Sequence, residues 1–176
     1  MTNQAHPFTL PSDLGAQIGR DRLARLVCQI TGACVARLAP DLSLSGPTGT
    51  TRGRSLLDLL TYCYASGALS SHAITEMAET DPVVRRFCGD AITERDEIAA
   101  FRRDHRALIQ ECLKQVYEAA WQATVDEAGP GRIPGRIEEA QPKPSQSVRY
   151  DPNGLLHQIN ARISQAAQMD CWSRDW

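Results

Sequence analysis

From Gly53 to Trp121 the chain reads GRSLLDLLTYCYASGALSSHAITEMAETDPVVRRFCGDAITERDEIAAFRRDHRALIQECLKQVYEAAW, and the spacing of its apolar residues decides the fold. Leu56, Leu57, Leu59, Leu60, Cys63 and Tyr64 make the first part apolar on most sides, the pattern of a central, largely buried helix. Ser55 is placed to cap it by accepting a backbone hydrogen bond, and Gly67 to stop it. Ser70 or Ser71 caps a short helix with Ile74, Met77 and Ala78 on one face. Pro82 opens another, because proline suits a first helical turn; this one carries Val83, Val84, Phe87 and Cys88 and ends at Gly89. Thr93 then caps a long helix, with Asp96 in the capping-box position. Its stripe runs Ile98, Phe101, His105, Leu108, Ile109, Cys112, Leu113, Val116, Ala120 and Trp121. Caps, stops and periodicity agree on an all-α bundle.

Outward from this stretch the signals thin. Residues 1–13 read as a loose lead-in with Pro7 and Pro11, and Ser12 or Asp13 as the cap of a helix over roughly 14–38. Leu14, Ile18, Leu23, Leu26, Val27 and Ile30 fit helical spacing, with Gly32 as an interruption. Pro40 to Gly53 is rich in Ser, Thr, Gly and Pro and reads as a loop. The bundle thus spans 14–128. Residues 129–152 hold Gly129-Pro130-Gly131, Pro134-Gly135, Pro142, Pro144 and Asp151-Pro152 without periodicity, the composition of a linker or arm. Residues 153–176 form a last amphipathic helix, capped by Asn153, and a tail. Its face of Leu155, Leu156, Ile159, Ile163, Ala166 and Ala167 needs a partner, because a short isolated helix is marginal in water. That partner is either the chain's own bundle or a second copy.

Composition bounds the chemistry. The chain has 176 residues, 42% hydrophobic and 23% charged, which is ordinary for a globular protein. No stretch approaches a membrane span, and the start MTNQAHPFTLPSDLG lacks the basic and apolar parts of a signal peptide. Six cysteines form no C-x-x-C pair; Cys63, Cys88 and Cys112 lie on apolar stripes, as buried reduced thiols do. The expected setting is a reducing bacterial cytoplasm. The four histidines are dispersed and no P-loop, G-x-S-x-G or G-x-G-x-x-G occurs. No carboxylate arrangement marks a two-metal nuclease. The expectation is a non-enzyme with no metal, cofactor, membrane or small-molecule substrate. Charge is uneven: net +3 over 1–54, −4 over 55–121 and −1 over 122–176.

The central stretch resembles the small helical domain that precedes the catalytic domain in bacterial insertion-sequence transposases of the IS5 and IS1182 type. The matching pieces are Gly53-Arg54, the Leu-Leu-x-Leu-Leu-x-Tyr-x-Tyr run Leu56 to Tyr64, and Gly67-x-x-Ser70-Ser71. Arg86-Phe87-x-Gly89 and Ile98-x-x-Phe101-Arg102-Arg103-x-His105 complete the set. Where that family commonly has arginine after the Ser-Ser pair, this chain has His72. Where it commonly has Pro-Asp-His-Ser-Thr-Ile, this chain has Thr93-Glu94-Arg95-Asp96-Glu97-Ile98. Acids in a first helical turn stabilise the helix through its dipole and repel phosphate. The resemblance implies a transposase-derived, non-catalytic DNA-binding protein, a domesticated regulator or a truncated element, nucleoid-associated where it binds.

Ser70 to Gly89 reads as helix, tight turn, helix, the outline of a helix-turn-helix reader. Arg85 and Arg86 fall on its second helix; Arg95, Arg102, Arg103 and Arg106 fall on the polar side of the next; Arg52 and Arg54 precede the central helix. These eight are the candidate DNA contacts, since guanidinium groups clamp phosphates and read guanine edges. The bland alternative is a solvated surface of ion pairs, and the acidic balance of 55–121 favours it, because DNA-binding surfaces usually carry a basic surplus. The second functional reading is self-association. Leu155, Ile159, Ile163 and Ala166, with Trp172 and Trp176 as interface anchors, would dock onto a second copy.

Overall fold

The structure is a computed structural model that describes residues 10–40, 50–89, 94–128 and 151–172. Among them are eight helices and no strand: α1 (Leu14–Ile18), α2 (Arg20–Leu38), α3 (Thr50–Ala65), α4 (Ser71–Thr80), α5 (Pro82–Cys88), α6 (Arg95–Asp104), α7 (Arg106–Ala128) and α8 (Pro152–Trp172). The residues read as lead-in (1–9), most of the 40–53 loop (41–49), the cap Thr93, the arm 129–150 and Trp176 lie outside the described residues, as does the side chain of Trp172.

Helix α3 runs through the middle, with Leu57, Leu59, Leu60, Tyr62, Cys63 and Tyr64 at 1% exposure or less. It packs against α2, α5, α6 and α7. Helices α2 and α7 also face each other, α4 and α5 lie on one flank, and α8 closes the bundle over α7 and reaches α4 and α6. One continuous core joins them, from Leu23 and Val27 of α2 to Leu155, Ile159, Ile163 and Ala166 of α8.

Several local signals act as read. The Asp13 carboxylate accepts from the Ala16 N–H at 3.0 Å and starts α1. Ser70 Oγ accepts from the Ala73 N–H at 3.1 Å and starts α4. Pro82 sits in the first turn of α5, and Gly89, at φ 62°, follows its end. Gly67 ends α3 in a Schellman motif: the Ala68 N–H donates to the Cys63 carbonyl at 2.9 Å and the Gly67 N–H to that of Tyr64 at 3.3 Å. At φ 88° an L-residue is strained there, and a Cβ would stand 2.5 Å from the Ser12 carbonyl oxygen.

Other boundaries differ from the sequence reading. The first helix breaks at Gly19, not Gly32. Gly19 has φ 91° and ψ 134°, a conformation open chiefly to glycine, while α2 runs unbroken through Gly32. Gly32 instead leaves room for the Arg54 guanidinium, 3.0 Å from where a Cβ would lie. Helix α3 starts at Thr50, so Ser55 is inside it rather than capping it. The long helix is two helices. His105, at φ −116° and ψ 25°, ends α6, and its carbonyl accepts from the Ile109 N–H at 3.0 Å in the first turn of α7. Its ring packs on Phe101, centroids 4.4 Å apart.

The placement of α8 gives its apolar face a partner within the chain. Leu155, Ile159, Ile163 and Ala166 are at 0% exposure in the core of their own bundle, so these four side chains are not open to a second copy as the chain stands. Polar contacts fix the register. The Leu10 N–H donates to Gln158 Oε1 at 2.7 Å, and Arg162 donates to Tyr117 OH at 2.6 Å, to the Tyr64 carbonyl at 3.2 Å and to the Pro11 carbonyl. Burial pushes the Tyr117 hydroxyl up to about 12, against the opposing pull of Arg162.

Cys34, Cys63 and Cys112 are buried thiols, Cys88 is half-buried, and Cys28 and Cys171 are exposed. Burial raises the Cys63 and Cys112 thiols, which keeps them protonated and unreactive.

Candidate nucleic-acid interface

Eight arginines read as one DNA-binding set occupy separate places in the fold. Arg102 is the clearest correction. It is 3% exposed, on the inward face of α6 with Ile98 and Phe101. Its Nε donates to Tyr64 OH; Nη1 donates to the Ala166 carbonyl at 3.0 Å and Asp170 Oδ2 at 2.5 Å; Nη2 donates to the Leu69 carbonyl at 3.2 Å and Ser71 Oγ at 3.3 Å. A guanidinium has five N–H donors, and these five bonds use them all. No donor remains for a phosphate. Asp170 in turn accepts from the Ser71 N–H at 2.8 Å and Ser71 Oγ at 2.5 Å. A carboxylate from α8 thus holds the first residue of α4.

Arg52 and Arg54 are half-buried at the start of α3. Arg52 grips both carboxylate oxygens of Glu97 in α6, and that hydrogen bonding raises its pKa further. Arg54 donates to Asp58 at 3.1 Å and to the Cys28 carbonyl at 2.6 Å. Both guanidinium groups tie helices together rather than face outward. Asp58, nearly buried, also accepts from Thr31 Oγ1. Burial pushes its carboxyl above the usual range, with Thr31 and Arg54 pulling the other way. A raised carboxyl favours the fold below the unfolded pKa of about 3.9 and loses that contribution as pH rises through the folded value. Asp58→Asn removes the titration, so variant stability relative to wild type is expected to rise from pH 4 to pH 7. Urea midpoints across that range measure it, and parallel profiles would exclude Asp58 as the source.

The remaining five arginines are exposed, on different neighbours. Arg106 donates to Ser164 Oγ of α8 at 2.8 Å, Arg95 meets His72 Nδ1 at 2.8 Å, and Arg103 lies 3.7 Å from Asp104. Arg85 and Arg86 stand together on α5. Arg85 donates to the Glu79 carbonyl, and Arg86 pairs with Asp21 at 3.0 Å. The Arg86–Asp21 pair is 68% and 77% exposed, so water and salt compete for both ends.

Helices α4 and α5 are joined through the single residue Asp81, whose carboxylate accepts from the Val83 N–H at 2.8 Å and caps α5. Val83 and Val84 turn inward toward α3, and Phe87 packs on Tyr62 with centroids 5.3 Å apart. This burial leaves the opposite face of α5, with Arg85 and Arg86, in solvent. The sequence reading missed a flanking group, Arg20 of α2, which bonds the other side of Asp81. Its signal was too small to find: one arginine at a helix start, distant in sequence from α5.

No family model matches the chain, and no curated protein and no solved structure matches it. Its own geometry therefore carries the functional argument. Among the described residues, no three of His, Cys, Asp and Glu cluster to hold a metal ion, and no helix is long and apolar enough to cross a membrane.

Proposed function

We propose that the protein is a non-catalytic, transposase-derived protein that associates with DNA through the α4–α5 unit. The observation that supports this reading is the two-sidedness of α5: Val83 and Val84 anchor it in the core while Arg85 and Arg86 face solvent side by side. A short helix so anchored presents guanidinium groups on a rigid support, as phosphate clamping requires. Seven residues of helix span about 10 Å, which suits contact with one stretch of backbone better than reading several base pairs. Binding of this kind is sequence-tolerant and salt-dependent.

Mobility shifts on random and cognate upstream duplexes, across salt, test the proposal. Arg85→Gln with Arg86→Gln is expected to weaken binding evenly across sequences and to lower the slope of log K against log salt by about two, near one for each lost phosphate contact. Both residues are exposed, so the thermal melt should stay where it is. Absence of binding by the wild-type chain at low salt would sink the proposal.

A further inference from the structure

The first turn of α2 exchanges opposite charges with α5 at two places: Arg20 bonds Asp81, the cap of α5, and Asp21 bonds Arg86 in its last turn. The two crossed pairs differ in setting. Asp81 is 6% exposed and also caps α5, so Arg20 completes a buried carboxylate's hydrogen bonds and belongs to the fold. Asp21 and Arg86 are both mostly in solvent. An exposed pair of that kind is held weakly and exchanges partners readily.

We infer that Asp21 is a built-in competitor for the phosphate that Arg86 would take, so that duplex DNA docks at the α2–α5 junction by displacing the Asp21 carboxylate. The inference rests on the DNA-binding reading and deepens it by naming the regulation of the same site. The physical reason is simple. A phosphate oxygen and a carboxylate oxygen seek the same guanidinium N–H groups, and the carboxylate is tethered 3.0 Å away. Each binding event must first release it. Arg20 stays with Asp81 throughout, which keeps α2 beside α5 while the outer pair opens. An acid at this place holds down affinity for any phosphate backbone and leaves binding more dependent on a full set of contacts.

The experiment is a double-mutant cycle on DNA affinity at fixed low salt, with a random duplex as probe and the full chain throughout. Asp21→Asn removes the charge and keeps the shape at a largely exposed position; it gives up one first-turn acid of α2, so the fold should hold with only a small drop in the thermal melt, which is measured alongside. The variant is expected to bind about two- to five-fold more tightly than wild type, the range set by release of one exposed ion pair. In an Arg86→Gln background the same change is expected to have no effect, because there is no guanidinium left to free. A gain of equal size in both backgrounds would mean only that one negative charge less helps any polyanion, and would overturn the inference. No gain in the wild-type background would overturn it too. Wild-type binding that depends on Arg85 and Arg86 but ignores Asp21 removes the inference and leaves the DNA reading standing. Failure of the wild type to bind at all removes both.

Discussion

Asp170→Ala is expected to cost the fold about 3–5 kcal/mol, the usual result of stripping the partner from a buried charge. Arg102 cannot move to water: it is 3% exposed and enclosed by Tyr64, Leu69, Ser71 and Ala166. The variant also loses two bonds to Ser71, so the start of α4 loosens with it. The converse change, Arg102→Met, is expected to cost less. Asp170 is on the rim, at 13% side-chain exposure, and keeps its bonds to Ser71. Removing both charges, as Arg102→Met with Asp170→Leu, should recover part of the loss, since an apolar pair in a buried site is often as stable as the ion pair it replaces. Urea unfolding of the three variants gives the order. Equal, small losses for both single variants would show that the pair is solvated.

A chain ending at Ala128 is expected not to fold as a compact monomer. It lacks Leu155, Ile159 and Ile163, each at 0% exposure in the full chain. At about 1.5–3 kcal/mol for each buried aliphatic side chain, the loss is roughly 5–9 kcal/mol, an upper value because unfolded chains already bury some surface. Small proteins have only about 5–15 kcal/mol of net stability. Truncation also leaves Arg102 without Asp170. Circular dichroism melts and light scattering decide the matter. A truncated chain that melts cooperatively as a monomer would reduce α8 to an accessory, and would reopen a role for its apolar face between copies.

Much of the fold was legible because it rests on local physics. Asp13, Ser70, Pro82, Gly67 and Gly89 act at helix ends through their own backbone or side chain, and such effects need no knowledge of the tertiary structure. The break at His105 carries no such mark. Neither glycine nor proline stands there, and the turn depends on where α6 and α7 pack. Gly19 and Gly32 are both glycines in a helical pattern. Only the packing of α1 and of Arg54 tells which one breaks the helix.

The site was less legible, for a related reason. Arg102 and Arg103 are neighbours in sequence, but each helical step turns about 100°, so one faces the core and the other solvent. The inward place of Arg102 was readable from its spacing, four residues after Ile98 and one after Phe101. Asp170 likewise continues the stripe Ile159, Ile163, Ala166 on α8. Opposite charges on two apolar stripes are the signature of a buried pair, but only the fold shows that the stripes meet. Arg20 and Asp21 had too little signal to find, because what gives them meaning is 61 and 65 residues away: the partners Asp81 and Arg86.

Gln158 and Arg162 of α8 hold the backbone at Leu10 and Pro11, across sequence separations of 148 and 151 residues. This has a consequence in time. As the chain is made from its N-terminus, α1, α2, α3 and α7 all emerge before the helix that covers them. Ribosomes add about 5–20 residues per second, so the roughly 40 residues between α7 and Asp170 take roughly 2–8 s. For that interval the sites that receive Leu155, Ile159 and Ile163 stand open, and Arg102 waits for its carboxylate. The nascent bundle is then most exposed to proteases and to its own kind, and its core closes only once α8 has been made.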